Sequence, residues 1–196
     1  MRPRPSKRRA TLLAMPLVVV VLIGVLFGAG DQYLGTVHSA TALGWWTISV
    51  SGLSAPWLVL PFLVGRAQGW PRRAVVAGLF VTLAGLAGYF AMTLTPMEGV
   101  HFHVDSLVSL LRTNERNVVG GLLTGPLFGW LGWRWRSRRD LVAAALVVGS
   151  LCLEPLAAAA VGHHGDTTVW IVEVLVGLAA AGLFLVSALG ARHRAA

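Results

Sequence analysis

Basic residues in this chain recur at every second gap between long apolar runs. All but two of the 16 Lys and Arg residues fall in four short stretches, at residues 1–9, 66–73, 134–139 and 192–194. Loops rich in Lys and Arg stay on the cytoplasmic side of a membrane, so this spacing is typical of a polytopic membrane protein. It predicts a plasma-membrane protein with its N- and C-termini in the cytoplasm.

The apolar runs are long enough to be membrane spans. A helix needs about 20 residues to cross roughly 30 Å of hydrocarbon. The sequence predicts an all-α fold, a bundle of six transmembrane helices over residues 11–191, with a basic cytoplasmic leader (1–10) and a cytoplasmic tail (192–196). The predicted spans lie near 11–30, 42–64, 74–94, 118–133, 141–161 and 168–190. The first exceeds a signal-peptide core and precedes no clear cleavage site, so we interpret it as a retained helix.

The composition agrees with a chain that is covered by lipid. It is 56% hydrophobic and 12% charged, which leaves too little polar surface for a soluble globule. A net charge of +8 would suggest nucleic acid if the charges formed one patch. Because they alternate with apolar runs, we expect anionic lipid headgroups as partners and no nucleic acid. Cys152 is the single cysteine, which excludes an intramolecular disulfide.

A short amphipathic segment lies between the third and fourth runs. Val104, Leu107, Val108 and Leu111 repeat at the helical period, and polar residues occupy the other faces. The pattern predicts a short external helix in the membrane interface. It would be either a solvated connector or a lid.

The second run contains residues that disturb a helix. Pro56 and Pro61 each remove a backbone hydrogen bond, and the nearby Ser51 and Ser54 can satisfy the carbonyls that are freed. We expect a kinked or locally unwound helix. In transporters such a break lines a substrate site near the midplane, and the alternative is a simple packing kink.

Two glutamates lie inside apolar runs, Glu154 in the fifth and Glu173 in the sixth. An ionised side chain costs on the order of 3 kcal/mol at the centre of a membrane helix. The two residues stand at nearly equal distances from His164 in the intervening turn, so they should lie at similar depth on antiparallel helices. Small residues share their helix faces, which favours an inward orientation. The pair is a candidate proton or cation site; the alternative is two carboxyls that are protonated separately.

Histidines fall in the predicted external segments. His101, His103 and Asp105 have a spacing that could chelate a transition metal, and His163 with His164 could complete the shell. Neither segment is a defined zinc motif, so solvated loops are the alternative. No cofactor is predicted.

The sequence contains no familiar catalytic motif. It has no G-x-S-x-G, no H-E-x-x-H and no Walker loop. An intramembrane hydrolase with Ser51 or Ser54 as its nucleophile is opposed by geometry, because the histidines that would serve as bases fall in loops or the tail. We therefore predict no enzymatic activity.

Glycines form a stripe in the fourth run. Gly121, Gly125 and Gly129 recur every four residues and share one helix face. Such a face lets helix backbones approach closely, either within the bundle or between copies in a homo-oligomer.

Three groups of residues resemble a family of uncharacterised polytopic membrane proteins, a domain of unknown function, from high-GC Gram-positive bacteria. They are Ser54-Ala55-Pro56-Trp57 with Phe62 and Gly65; Gly125-Pro126-x-Phe128-Gly129-x-x-Gly132-x-x-Trp135-Arg136; and the glutamates Glu154 and Glu173. The resemblance covers most of the chain after the first helix. It implies the six-helix membrane fold and supplies no activity.

The sequence favours the handling of a small molecule or ion by a permease-like or substrate-binding membrane subunit. Membrane carboxyls, a proline-broken helix and a faint internal repeat, G-x-L-F-G at 24–28 and 125–129, agree with that function. The alternative is a non-transporting membrane scaffold or assembly subunit, in which glycine faces bind partner subunits and the glutamates are structural.

Overall fold

The computed structural model describes residues 15–36, 47, 50–95, 103–160, 162 and 166–193. Helices make up 89% of these residues and none of them lies in a strand, so the chain is all-α, as predicted. Seven helices run through this part of the chain: α1 (Leu17–Thr36), α2 (Ala55–Arg66), α3 (Pro71–Thr93), α4 (Val104–Thr113), α5 (Glu115–Arg138), α6 (Leu141–Ala160) and α7 (Thr167–His193).

Four of these helices are long and apolar enough to cross a membrane. They are α1 with 20 residues, α3 with 23, α6 with 20 and α7 with 24 up to Gly190. A helix of about 20 residues spans roughly 30 Å, the thickness of the hydrocarbon core. The apolar helices indicate a membrane protein. Four of the six predicted spans correspond to such a helix, so the predicted count of six is not confirmed.

The other two predicted spans differ for separate reasons. α2 has 12 residues, or about 18 Å, because the helical path is interrupted at residues 52–54. Residues 42–46, 48 and 49 of that predicted span lie outside the described residues. α5 has 24 residues and is long enough, but its glycines and the arginines of its last turns lower its mean hydropathy.

The helices pack in an order that differs from their order in the chain. α1 packs on α3, α3 on α5, and α5 on α2. α6 and α7 form an antiparallel hairpin that contacts this group through α2 and α5. The short amphipathic helix predicted around residues 104–111 corresponds to α4, which has no buried residue and contacts α5.

Glycines make the closest helix contacts. Gly28 of α1 lies against the backbone of Gly85 in α3. Gly129 of α5 lies against Ala74 of α3 on one side and Gly65 of α2 on the other. Without side chains between them, the backbones approach closely enough for dispersion contacts to hold the helices together.

The arginine-rich junctions lie together at one end of the bundle, which we call the basic end. Arg66 at the end of α2 and Arg136 and Arg139 at the end of α5 surround one cavity. Arg136 donates a hydrogen bond to the Arg66 carbonyl at 3.3 Å. Met15, before α1, lines a second cavity with Arg72. The chain therefore returns to the same end at every second junction.

The best-packed part of the core lies near the basic end. Trp135 and Phe62 are each 1% exposed and pack with the first turns of α6 and the last turns of α7. The Phe184 ring meets the Trp135 ring edge-to-face, with centroids 4.6 Å apart. Val20 and Val81, both fully buried, belong to a second cluster. The opposite end of the bundle holds the site described next.

Candidate functional site

The carboxylate of Glu154 caps a helix to which it does not belong. The backbone N–H groups of Ser54 and Ala55, at the start of α2, donate hydrogen bonds to its two oxygens. The first N–H groups of a helix have no partner within the helix, and the helix dipole favours a negative charge there. The Ser54 side chain makes no capping bond of its own. Glu154 on α6 therefore supplies the cap from across the bundle.

The start of α2 is open to Glu154 because the chain is not helical at Gly52–Ser54. The Leu53 N–H bonds the Val50 carbonyl at 3.2 Å, which closes a turn before α2 begins. Pro56 occupies the first turn of α2, where a missing N–H leaves no bond unmade. Pro61 lies inside α2, which continues through it. Pro61 is also fully buried, so the interruption lies before α2 and not at Pro61.

Glu173 of α7 lies beside Glu154. Its side chain is 5% exposed, and its carboxyl lies close enough to Glu154 for the two acidic groups to interact electrostatically. Among the described residues, neither Glu173 oxygen has a hydrogen-bond partner. Gly177, one turn away, lies against Cys152 of α6, so small side chains let α6 and α7 approach at this level. The pair thus consists of a buried carboxyl, Glu173, beside a carboxylate, Glu154, that caps α2.

A cavity of about 340 Å³ occupies the end of the bundle opposite the basic end. It lies between the end of α1, the 51–58 segment, the second half of α3 and the start of α5. Its volume falls in the range of small-molecule sites, about 300–1,000 Å³. Aromatic rings of Trp57, Tyr89 and Phe90 line part of it. The polar side chains of its wall are Asp31, Ser51, Ser54, Thr82, Asn114, Arg116, Asn117 and Thr124.

Asp31 and Trp57 are joined in the wall of this cavity. Trp57 Nε1 donates a hydrogen bond to Asp31 Oδ2 at 3.3 Å. The Trp57 ring meets Phe27 and Tyr89 edge-to-face, with centroids 5.1 and 6.2 Å away. A tryptophan in an apolar segment needs a partner for its N–H group, and the end of α1 provides one.

The cavity and the glutamate pair share one wall. Gly52, Leu53 and Ser54 line the cavity, and the Ser54 N–H bonds Glu154. A change in the Glu154 carboxylate therefore acts directly on the segment that lines the cavity.

The other predicted site residues that the structure describes do not line the cavity, apart from Gly121. Gly125 and Gly129 pack against α3 and Gly121 against the Thr82 methyl group, so this stripe is used within the chain. His103 and Asp105 are exposed at the start of α4. The metal candidates His101, His163 and His164 lie outside the described residues. Within the described part of the chain, no three potential ligands form a metal-binding group.

Sequence reasoning did not single out Asp31, Trp57 or Arg116 as site residues. Asp31 follows the first predicted span (11–30) directly, and it shares a helix face with Gly24 and Gly28. That face packs on α3, which was a usable signal. Arg116 is one of the two basic residues outside the four arginine-rich stretches. This unusual position was a signal that could have identified it as a site residue.

Comparison with known protein families, with curated proteins and with solved structures finds no match to this chain. The resemblance to a bacterial membrane family stays a prediction.

Proposed function

We propose that the protein is a permease-like or substrate-binding subunit of the plasma membrane that handles a small molecule or ion. In this proposal α2, with the residues before it, and α5 complete six spans, and the basic end faces the cytoplasm. The four apolar helices and the clustering of arginines at one end support it. α4 then lies in the outer interface.

The single observation that carries the proposal is the contact between Glu154 and the interrupted helix. A membrane carboxylate that holds the open start of a helix is a two-state element, because its protonation removes the charge that the helix dipole favours. Glu173 is buried beside it, with no hydrogen-bond partner among the described residues, and can share a proton or a cation with it. The segment that responds is the wall of a cavity of ligand size.

The test is solute flux in proteoliposomes. Compounds that raise the melting temperature of the purified protein are identified first, because a bound ligand stabilises the folded state. Their uptake is then measured with and without an imposed proton gradient. We expect gradient-dependent uptake that Glu154→Gln and Glu173→Gln each abolish. Glu115→Gln, an exposed change at the start of α5, is the matched control and should transport normally.

Uptake at the level of empty liposomes would reject transport and favour the alternative, a non-transporting scaffold or assembly subunit. One observation favours that alternative. The α6–α7 hairpin exposes large apolar side chains, with Leu183 and Val186 each 71% exposed, and a partner subunit could cover them in place of lipid. The glycine stripe of α5, in contrast, is occupied by α3 and α2.

A further inference from the structure

We infer that the cavity beside the glutamate pair binds a small zwitterion, a compound with an ammonium group and a carboxylate. This inference rests on the proposed function, because it names the class of solute that the same site accepts. It is carried by two opposite charges in the wall of one cavity of about 340 Å³.

One wall of the cavity suits an ammonium group. Asp31 presents a carboxylate, and Trp57 and Tyr89 present aromatic rings next to it. A cation is attracted both by a carboxylate and by the faces of aromatic rings. The hydrogen bond from Trp57 Nε1 to Asp31 and the ring contacts with Phe27 fix this wall before a ligand arrives.

The other wall suits a carboxylate. Asn114, Arg116 and Asn117 come from the junction of α4 and α5 and the first turn of α5, and their side chains carry N–H donors. The guanidinium group of Arg116 offers paired donors that match the two oxygens of a carboxylate. The adjacent Glu115 does not line the cavity.

The two charges do not satisfy each other. Within the described residues, Asp31 and Arg116 form no ion pair, and the one ion pair found there joins Arg134 to Asp140 at the basic end. A ligand with a single charge would leave one of the two wall charges without a partner in a partly apolar cavity, which opposes its binding. A zwitterion satisfies both at once.

The experiment is calorimetric titration of the full chain in detergent. The zwitterionic probes are glycine betaine and each of the twenty common L-amino acids, and the single-charge probes are choline and acetate. We expect at least one zwitterion to bind, and choline and acetate to bind at least about tenfold more weakly. Asp31→Asn keeps an acceptor for Trp57, and Arg116→Gln changes an exposed side chain, so both should fold. Each should weaken zwitterion binding about tenfold or more.

Arg112→Gln, an exposed arginine of α4 that does not line the cavity, is the control and should bind normally. No heat from any zwitterion would overturn the inference, as would choline binding as tightly as the best zwitterion or unchanged affinity in Arg116→Gln. If Asp31→Asn does not fold, Arg116→Gln and Arg116→Lys decide alone, with partial retention expected in the lysine variant. Zwitterion binding without flux would support the inference and reject transport. Flux together with unchanged zwitterion binding in Asp31→Asn and Arg116→Gln would support transport and reject the inference.

Discussion

At the scale of residues, the site depends on contacts between groups far apart in the chain. Glu154 meets the N–H groups of residues about a hundred positions earlier, and Trp57 meets a carboxylate at Asp31. The sequence could mark Glu154 and Glu173 as unusual, because carboxyls are rare in apolar runs. It could not tell that Glu154 caps α2, since periodicity within one helix carries no information about the start of another.

The bond between Trp57 and Asp31 can be tested by Trp57→Phe. This change keeps an aromatic ring and removes the donor, so a part-buried carboxylate loses its partner at a cost of about 1–3 kcal/mol. We expect a lower melting temperature in detergent. Trp70→Phe is the control, because Trp70 is 55% exposed, and its melting temperature should stay near that of the parent. Equal effects in the two variants would contradict a role for the Asp31 contact.

At the scale of elements, the sequence predicted helices well and their membrane character less well. α1, α3, α6 and α7 follow from length and apolar composition alone. α5 falls short in mean hydropathy because the glycines that let it pack between α3 and α2 contribute little apolar surface. The break before α2 was suggested by its prolines, but only packing shows that Pro61 leaves the helix continuous.

The glycine contacts of α5 predict different effects at two positions in one helix. In Gly129→Ala the new methyl group would overlap the Ala74 carbonyl, so we expect a destabilisation of about 1–3 kcal/mol. In Gly120→Ala the methyl group meets no atom within 4 Å, and the better helix propensity of alanine should leave stability unchanged or raise it by up to about 1 kcal/mol. Thermal unfolding in detergent measures both. A stable Gly129→Ala protein would show that α3 and α5 are not in close contact.

At the scale of the whole molecule, the two ends of the bundle differ in packing and in charge. Trp135 and Phe62 belong to a buried cluster near the arginines, and the cavity lined by Asp31 and Arg116 lies at the other end. The alternation of arginines predicted that the junctions would share one end, and the structure places Arg66, Arg72 and Arg136 there. The sequence could not predict which end would hold the buried cluster and which the cavity, because the apolar runs have a similar composition along their length.

The threading through the membrane can be tested with single cysteines in a Cys152→Ala background. Ser109 on α4 and Ser137 near the end of α5 are both exposed. We expect Ser109→Cys to react with a membrane-impermeant maleimide in intact cells, and Ser137→Cys to react only after permeabilisation. The reverse pattern would place the arginines outside, and reaction of both in intact cells would contradict a crossing by α5.

The uneven filling of the bundle has an electrical consequence for the proposed orientation. Water can hydrate the chamber next to Asp31, whereas the cluster around Trp135 and Phe62, closer to the basic end, is buried. In the proposed orientation the membrane voltage would drop mainly over that buried cluster, and moving one elementary charge through the full potential is worth about 2.3 kcal/mol per 100 mV. A proton passing from the glutamates to the cytoplasm would cross most of this drop, so membrane voltage would drive the protein even where the two compartments have equal pH.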